Sequence, residues 1–225
     1  MELYPKTTAL DLPFKQKLLE SIKIWGLCFV GFICSALFMS FTNLVLKSAF
    51  HFDLAKTNQF SQILNGPPIK YILIPFIGPL LEECIFRLWQ DYKIKHILIA
   101  GTVFLTLLVF KITGFNQQPI KYIYEGVLAF LAVIFILKKD RTAQTLHVTP
   151  KTRKCLYYLA AILFGLMHIG NFSPIHYQLL FIYPVFVLPQ LIMGFGFGYT
   201  RIKYGFFFGF LLHCITNMIP LLSTL

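Results

Sequence analysis

Three short stretches of the sequence place polar residues that can do chemistry inside otherwise apolar runs. They read EECIFR at 82–87, FGLMH at 164–168 and HCITN at 213–217. Residues four positions apart share one face of a helix, and each stretch contains such a pair. Burying polar or ionised groups is unfavourable unless they find partners, so these residues require an explanation.

In the first stretch, Glu83 and Arg87 are separated by about 40° around a helix, and the order Glu then cation at this spacing is the favourable one. We predict that they form an ion pair. Glu82 lies about 100° from Glu83, outside that pair, and is therefore the better candidate for chemistry. A positioned carboxylate can act as a general base toward water. The alternative is that all three side chains only hold helices together.

The second and third stretches add the groups that amide hydrolysis needs. Phe164 and His168 share one helix face, as do His213 and Asn217. An imidazole and an amide pointing the same way suit stabilisation of an oxyanion. Taken alone, either histidine could be a hydrogen-bonded packing residue. If the three faces converge, they supply a carboxylate base, two imidazoles and an amide, which fits hydrolysis of an amide by activated water.

The composition indicates that membrane helices position these residues. The 225-residue chain is 57% hydrophobic and 13% charged, its mean hydropathy is +0.70, and a soluble domain has about 25% charged residues. The net charge of +11 does not indicate nucleic-acid binding, because the charges fall between apolar runs. We predict an all-α, polytopic transmembrane bundle in the lipid bilayer, forming a single integral-membrane domain over residues 1–225.

About seven spans are expected, with six to eight admissible, because a crossing helix needs roughly 20 residues. They are 24–46, 69–90, 96–112, 120–137, 155–171, 177–199 and 204–222. Lysines and arginines concentrate in alternate connecting segments, which predicts a cytosolic N-terminus and an external C-terminus. Proline pairs should kink the second and sixth spans, and glycine pairs should allow close helix packing. These residues are Pro75 and Pro79, Pro184 and Pro189, Gly194 and Gly198, and Gly205 and Gly209.

The three motifs, E-E-x-x-x-R, F-x-x-x-H and H-x-x-x-N, resemble in order and separation those of the CPBP family. This group of CAAX proteases and bacteriocin-processing proteins, also called Abi, includes the Rce1-type CAAX proteases, and the resemblance covers residues 75–220. It implies an intramembrane endopeptidase in which Glu82 activates water with assistance from His168. Glu83 and Arg87 would support them, Phe164 would pack against the site, and His213 with Asn217 would stabilise the oxyanion.

The resemblance implies a metal-independent enzyme without a cofactor, acting on a peptide or protein substrate in or at a membrane, with the bacterial plasma membrane as the expected location. One alternative is zinc bound by Glu82, His168 and His213, since carboxylate and imidazole are zinc ligands. The other is a non-enzymatic membrane protein that gives self-immunity by binding a bacteriocin or its receptor. We find no inverted repeat of the kind that many transporters carry.

Overall fold

The computed structural model describes residues 4–5, 7–113, 132, 134 and 144–224. Within these residues every regular element is helical, and extended pairing is limited to two isolated bridges, Asn58 with Phe172 and Lys93 with Thr145. The prediction of an all-α chain is confirmed. The predicted span 120–137 lies outside the described residues except at 132 and 134. The six longer helices that the structure describes are α1 Phe14–Phe50, α2 Gly78–Phe86, α3 Ile94–Thr113, α4 Pro150–Met167, α5 Leu188–Tyr204 and α6 Phe206–Met218.

Helix α1 is, among the described elements, the one long and apolar enough to cross a membrane. It contains the predicted span 24–46 and ends at His51, whose left-handed backbone (φ 54°) lets its N–H bond to the Leu46 carbonyl. Many of its apolar side chains, including Leu37 and Phe41, are more than half exposed, as expected for a helix facing lipid. The number of spans and the orientation of the chain stay predictions.

The second and sixth predicted spans are interrupted at their prolines. Residues 69–90 form Lys70–Ile72, a π-helical turn Leu73–Ile77, α2 and a 3₁₀ turn Leu88–Asp91. An irregular turn thus lies where the kink before the glutamates is predicted, and the kink itself stays a prediction. The sixth span differs from the predicted kinked helix, because it divides into Tyr177–Leu179, Tyr183–Phe186 and α5. Its two prolines stand in the first turn of Tyr183–Phe186 and of α5, where a missing N–H is no loss.

Chain contacts divide the protein into two compact units, Met1–Pro79 with Leu156–Leu225, and Leu80–Cys155. We describe each by itself, and a single integral-membrane domain stays a prediction. In the first unit, α5 packs against α1 and α6. A methyl group at Gly196 would lie 2.6 Å from the Cys28 sulfur, and one at Gly209 would lie 2.9 Å from the Phe197 carbonyl oxygen. Among the predicted glycines, close packing is confirmed at Gly209 and at Gly194, where a methyl group would lie 2.8 Å from the Phe164 ring. Gly196 was not predicted, and Gly205 provides a positive φ of 107° between α5 and α6.

The second unit is held by a compact turn after the first motif. Tyr92 adopts a left-handed conformation (φ 60°), and its carbonyl accepts from the Leu146 N–H at 2.8 Å. The Arg153 guanidinium lies 4.7 Å from the centre of the Tyr92 ring. The Asp91 carboxylate lies 2.7 Å from Nδ1 of His96. These contacts fix the chain where the first motif ends and α3 begins.

Candidate active site

His168 lies where α4 ends and a 3₁₀ turn, His168–Asn171, begins. Its Nδ1 lies 2.8 Å from the Phe164 carbonyl oxygen. Because a carbonyl oxygen only accepts hydrogen bonds, Nδ1–H is the donor, and in the neutral ring Nε2 carries the lone pair. The backbone of the second motif therefore sets the tautomer of its own histidine and gives it a nitrogen that can accept a proton.

His213 is buried on α6 between aromatic rings. Its ring stacks on Phe197, with centroids 4.5 Å apart and an interplanar angle of 19°, and meets the Phe164 ring edge-on at 5.5 Å. The Phe164 ring also lies 5.0 Å from the ring of His168. One buried phenylalanine thus contacts both motif histidines, and the structure brings the second and third motifs together within the first unit.

Asn217, one turn after His213, is tied to the irregular turn that precedes α2. Its Nδ2 donates to the Ile74 carbonyl oxygen at 3.1 Å. In that turn the Gly78 N–H bonds to the Leu73 carbonyl, which is the π-helical register. The same register would direct the Ile74 carbonyl to the N–H of residue 79, but Pro79 has none. The asparagine amide supplies the missing donor.

The first motif lies on α2 and the turn that follows, within the second unit. The predicted ion pair is confirmed, because Arg87 Nη1 donates to Glu83 Oε1 and the two side chains are 1% and 0% exposed. The Arg87 backbone N–H also bonds to the Glu83 carbonyl at 2.9 Å. Glu82 is partly exposed rather than fully buried, and it lies about 100° away around the helix. The two adjacent glutamates therefore have different environments.

In the structure Phe164 contacts both His168 and His213. Asn217 lies one turn after His213 on α6. Glu82, Glu83 and Arg87 belong to the other compact unit. Within the described part of the chain, no three His, Cys, Asp or Glu side chains are grouped closely enough to hold a metal ion. The catalytic roles of these residues stay predictions.

Two contributors to the first unit were not predicted from the sequence. Phe197 stacks on His213, and the Trp25 indole N–H donates to the Thr216 hydroxyl at 2.9 Å, which ties α6 to α1 beside Asn217. Phe197 lies in the stretch GFGFG, whose glycines indicated close packing, but no local pattern indicated which ring meets the histidine. Trp25 and Thr216 are 191 positions apart, and no local sequence pattern indicated that they would meet.

The comparisons with known proteins concern the same part of the chain. A family model described as type II CAAX prenyl endopeptidase Rce1-like matches residues 64–219. This range includes all three motifs and the turn before α2. No curated protein and no solved structure matches the chain significantly.

Proposed function

Because the chain belongs to the Rce1-like family of type II CAAX prenyl endopeptidases, and is thus a membrane-embedded protease of the CAAX type, we propose that a water activated by Glu82 performs its peptide hydrolysis. The substrate we propose is a membrane-associated or leader-type peptide or protein. The observation that carries this proposal is the family match over residues 64–219, since it includes every motif residue.

In the proposed reaction, the water oxygen attacks the carbonyl carbon of the scissile bond and its proton passes to the Glu82 carboxylate. His168 assists by accepting a hydrogen bond from the attacking water. Its hydrogen bond to the Phe164 carbonyl supports this role, because that bond leaves the lone pair on Nε2. Collapse of the tetrahedral intermediate breaks the C–N bond, and the departing amine takes up the proton. We propose that no metal or other cofactor takes part.

We propose that His213 and Asn217 stabilise the negative oxygen of the tetrahedral intermediate. The rings of Phe164 and Phe197 constrain the His213 imidazole, and donors that are fixed in advance are the effective ones. The amide nitrogen of Asn217 carries two hydrogens, and the bond to Ile74 uses one of them. The other hydrogen is the one we assign to the substrate oxygen.

We propose that the protein is a multi-pass protein of a bacterial plasma membrane with its N-terminus in the cytosol. The alternation of basic segments along the chain supports this orientation.

A peptide-cleavage assay tests the proposed function. Purified protein in lipid vesicles is incubated with peptides that end in a CAAX sequence, with and without a prenyl group, and the products are identified by mass spectrometry.

The proposal predicts release of a C-terminal fragment at one defined bond, unchanged after a zinc chelator. Loss of cleavage on chelation, restored by zinc, would instead favour zinc ligation by Glu82, His168 and His213. If neither these peptides nor leader-type peptides are cleaved, and the purified protein binds a bacteriocin, the immunity function would replace the proposal.

A further inference from the structure

The first unit contains an apolar pocket of about 220 Å³ that is separate from the motif histidines. It is formed where α1 packs against α5 and the start of α4. An apolar cavity of about 150 Å³ is enough to bind benzene, so this pocket can take several carbons of a hydrocarbon chain. Its lining residues are Leu27, Cys28, Tyr157, Ile192, Phe195, Gly196 and Tyr199.

The polar groups of the lining are largely occupied, which leaves a hydrocarbon surface. The Tyr157 hydroxyl donates to the Phe195 carbonyl oxygen at 3.0 Å. Gly196 lets Cys28 pack directly against the backbone of α5 in the pocket wall, because a methyl group at this glycine would lie 2.6 Å from the cysteine sulfur. Leu27 is 56% exposed, so the pocket reaches the outer surface of α1, the described helix that is apolar enough to cross a membrane.

The pocket has a basic end at Tyr199. The Tyr199 hydroxyl accepts from the Lys203 ammonium at 3.4 Å, and this ammonium lies 5.4 Å from the centres of the Tyr199 and Tyr204 rings. In the described part of the chain, Lys203 contacts these tyrosines and no carboxylate, whereas Lys23 on α1 bonds to Glu20 at 2.7 Å. Lys203 therefore offers a positive charge one helical turn from a hydrocarbon pocket.

We propose that this pocket is a binding site for an anionic phospholipid of the bilayer, with one acyl chain against Leu27, Ile192 and Phe195 and the phosphate on Lys203. A chain in the pocket recovers dispersion contacts that an empty apolar cavity forfeits. A lysine near an anionic membrane surface contributes about 1 kcal/mol of attraction. Lys203 lies on the side that the charge pattern predicts to be cytosolic, where anionic lipids concentrate.

Native mass spectrometry of the purified protein with equimolar phosphatidylglycerol and phosphatidylcholine tests the proposal. The wild type should retain phosphatidylglycerol preferentially. Leu27→Trp should abolish this retention by filling the pocket, while Val30→Trp, a change at a 58% exposed position of the same helix, should not. Lys203→Gln should lower the preference about fivefold, while Lys15→Gln, which removes one charge from an exposed residue of α1, should leave it unchanged.

Size-exclusion chromatography and thermal unfolding establish that each variant is folded. If Leu27→Trp does not fold, Ile192→Phe replaces it as the pocket-filling variant. Equal phosphatidylglycerol retention by the pocket-filling variants and the wild type would overturn the proposal. So would an unchanged preference in Lys203→Gln. Displacement of phosphatidylglycerol by an equimolar farnesylated peptide would assign the pocket to substrate and also contradict it.

Discussion

At the scale of single residues, the two adjacent glutamates of the first motif have different environments. Glu83 and Arg87 are almost completely buried and bonded to each other, whereas Glu82 is partly exposed. A buried charge whose partner is removed is strongly destabilising, while replacing both charges by neutral groups is often tolerated. The pair is therefore expected to maintain the fold around Glu82, the residue proposed to activate water.

A double-mutant cycle tests this division. We expect Glu83→Gln and Arg87→Met each to lower the free energy of unfolding by about 3–5 kcal/mol, because each removes one member of a buried ion pair. The double variant should lose less than the sum of the two single changes. Denaturant or thermal unfolding of the purified proteins measures this, and strictly additive losses would show that the two side chains do not stabilise each other.

Aromatic packing at His213 gives a second prediction for single residues. Phe197→Leu removes the stacked ring and should lower the cleavage rate about twofold to tenfold, since an aromatic pair contributes about 0.5–1.5 kcal/mol. Phe206→Leu, which removes a ring stacked on Phe210 in α6, is the matched control and should retain the rate. Equal rates in the two variants would mean that the stack does not orient the imidazole.

At the scale of helices, the sequence predicts where a helix is interrupted better than it predicts which groups form the hydrogen bonds at the interruption. Pro75 and Pro79 indicate an interruption before the glutamates, and the turn Leu73–Ile77 lies there. Its π-helical form, and the donation from Asn217 to Ile74, depend on a residue 143 positions away. The contact between Phe197 and His213 was equally hidden, because the ring that meets a side chain on a neighbouring helix is not a local property of either segment.

The missing donor at Pro79 makes the role of Asn217 testable. Asn217→Leu should lower the free energy of unfolding by about 1–3 kcal/mol, because it leaves the Ile74 carbonyl without its bond. The loss should be smaller in a Pro79→Ala background, where the backbone gains the N–H that the π-helical register directs to Ile74. The comparison uses thermal unfolding of the four proteins. An identical loss in both backgrounds would exclude this account of the turn.

At the scale of the whole molecule, composition and motif order were sufficient to predict an all-α membrane protein of this protease family. They were not sufficient to show that α2 is only nine residues long, because it ends at Phe86 and is followed by the 3₁₀ turn Leu88–Asp91 in a stretch without proline or glycine. The basic segments predict the topology independently of these details, because the lysines and arginines of a loop determine which side of the membrane it occupies, whatever the geometry of the helices.

Cysteine labelling in intact cells or oriented vesicles checks that topology. Asn65→Cys and His147→Cys replace exposed residues in segments expected on opposite sides, the first external and the second cytosolic. An impermeant maleimide added from outside should label the first and not the second, as read by mass spectrometry of each peptide. Labelling of both from outside, or of position 147 alone, would require a different arrangement of spans.

The central claim is that Glu82 activates water, and the cleavage rate of Glu82→Gln tests it most directly. Removing a general base costs about 10²–10⁴ in rate, so we predict at least a hundredfold loss with thermal unfolding equal to that of the wild type. Glu83→Gln should show the loss of stability that Glu82→Gln lacks. A Glu82→Gln protein that is folded and cleaves the same bond at the wild-type rate would contradict the account.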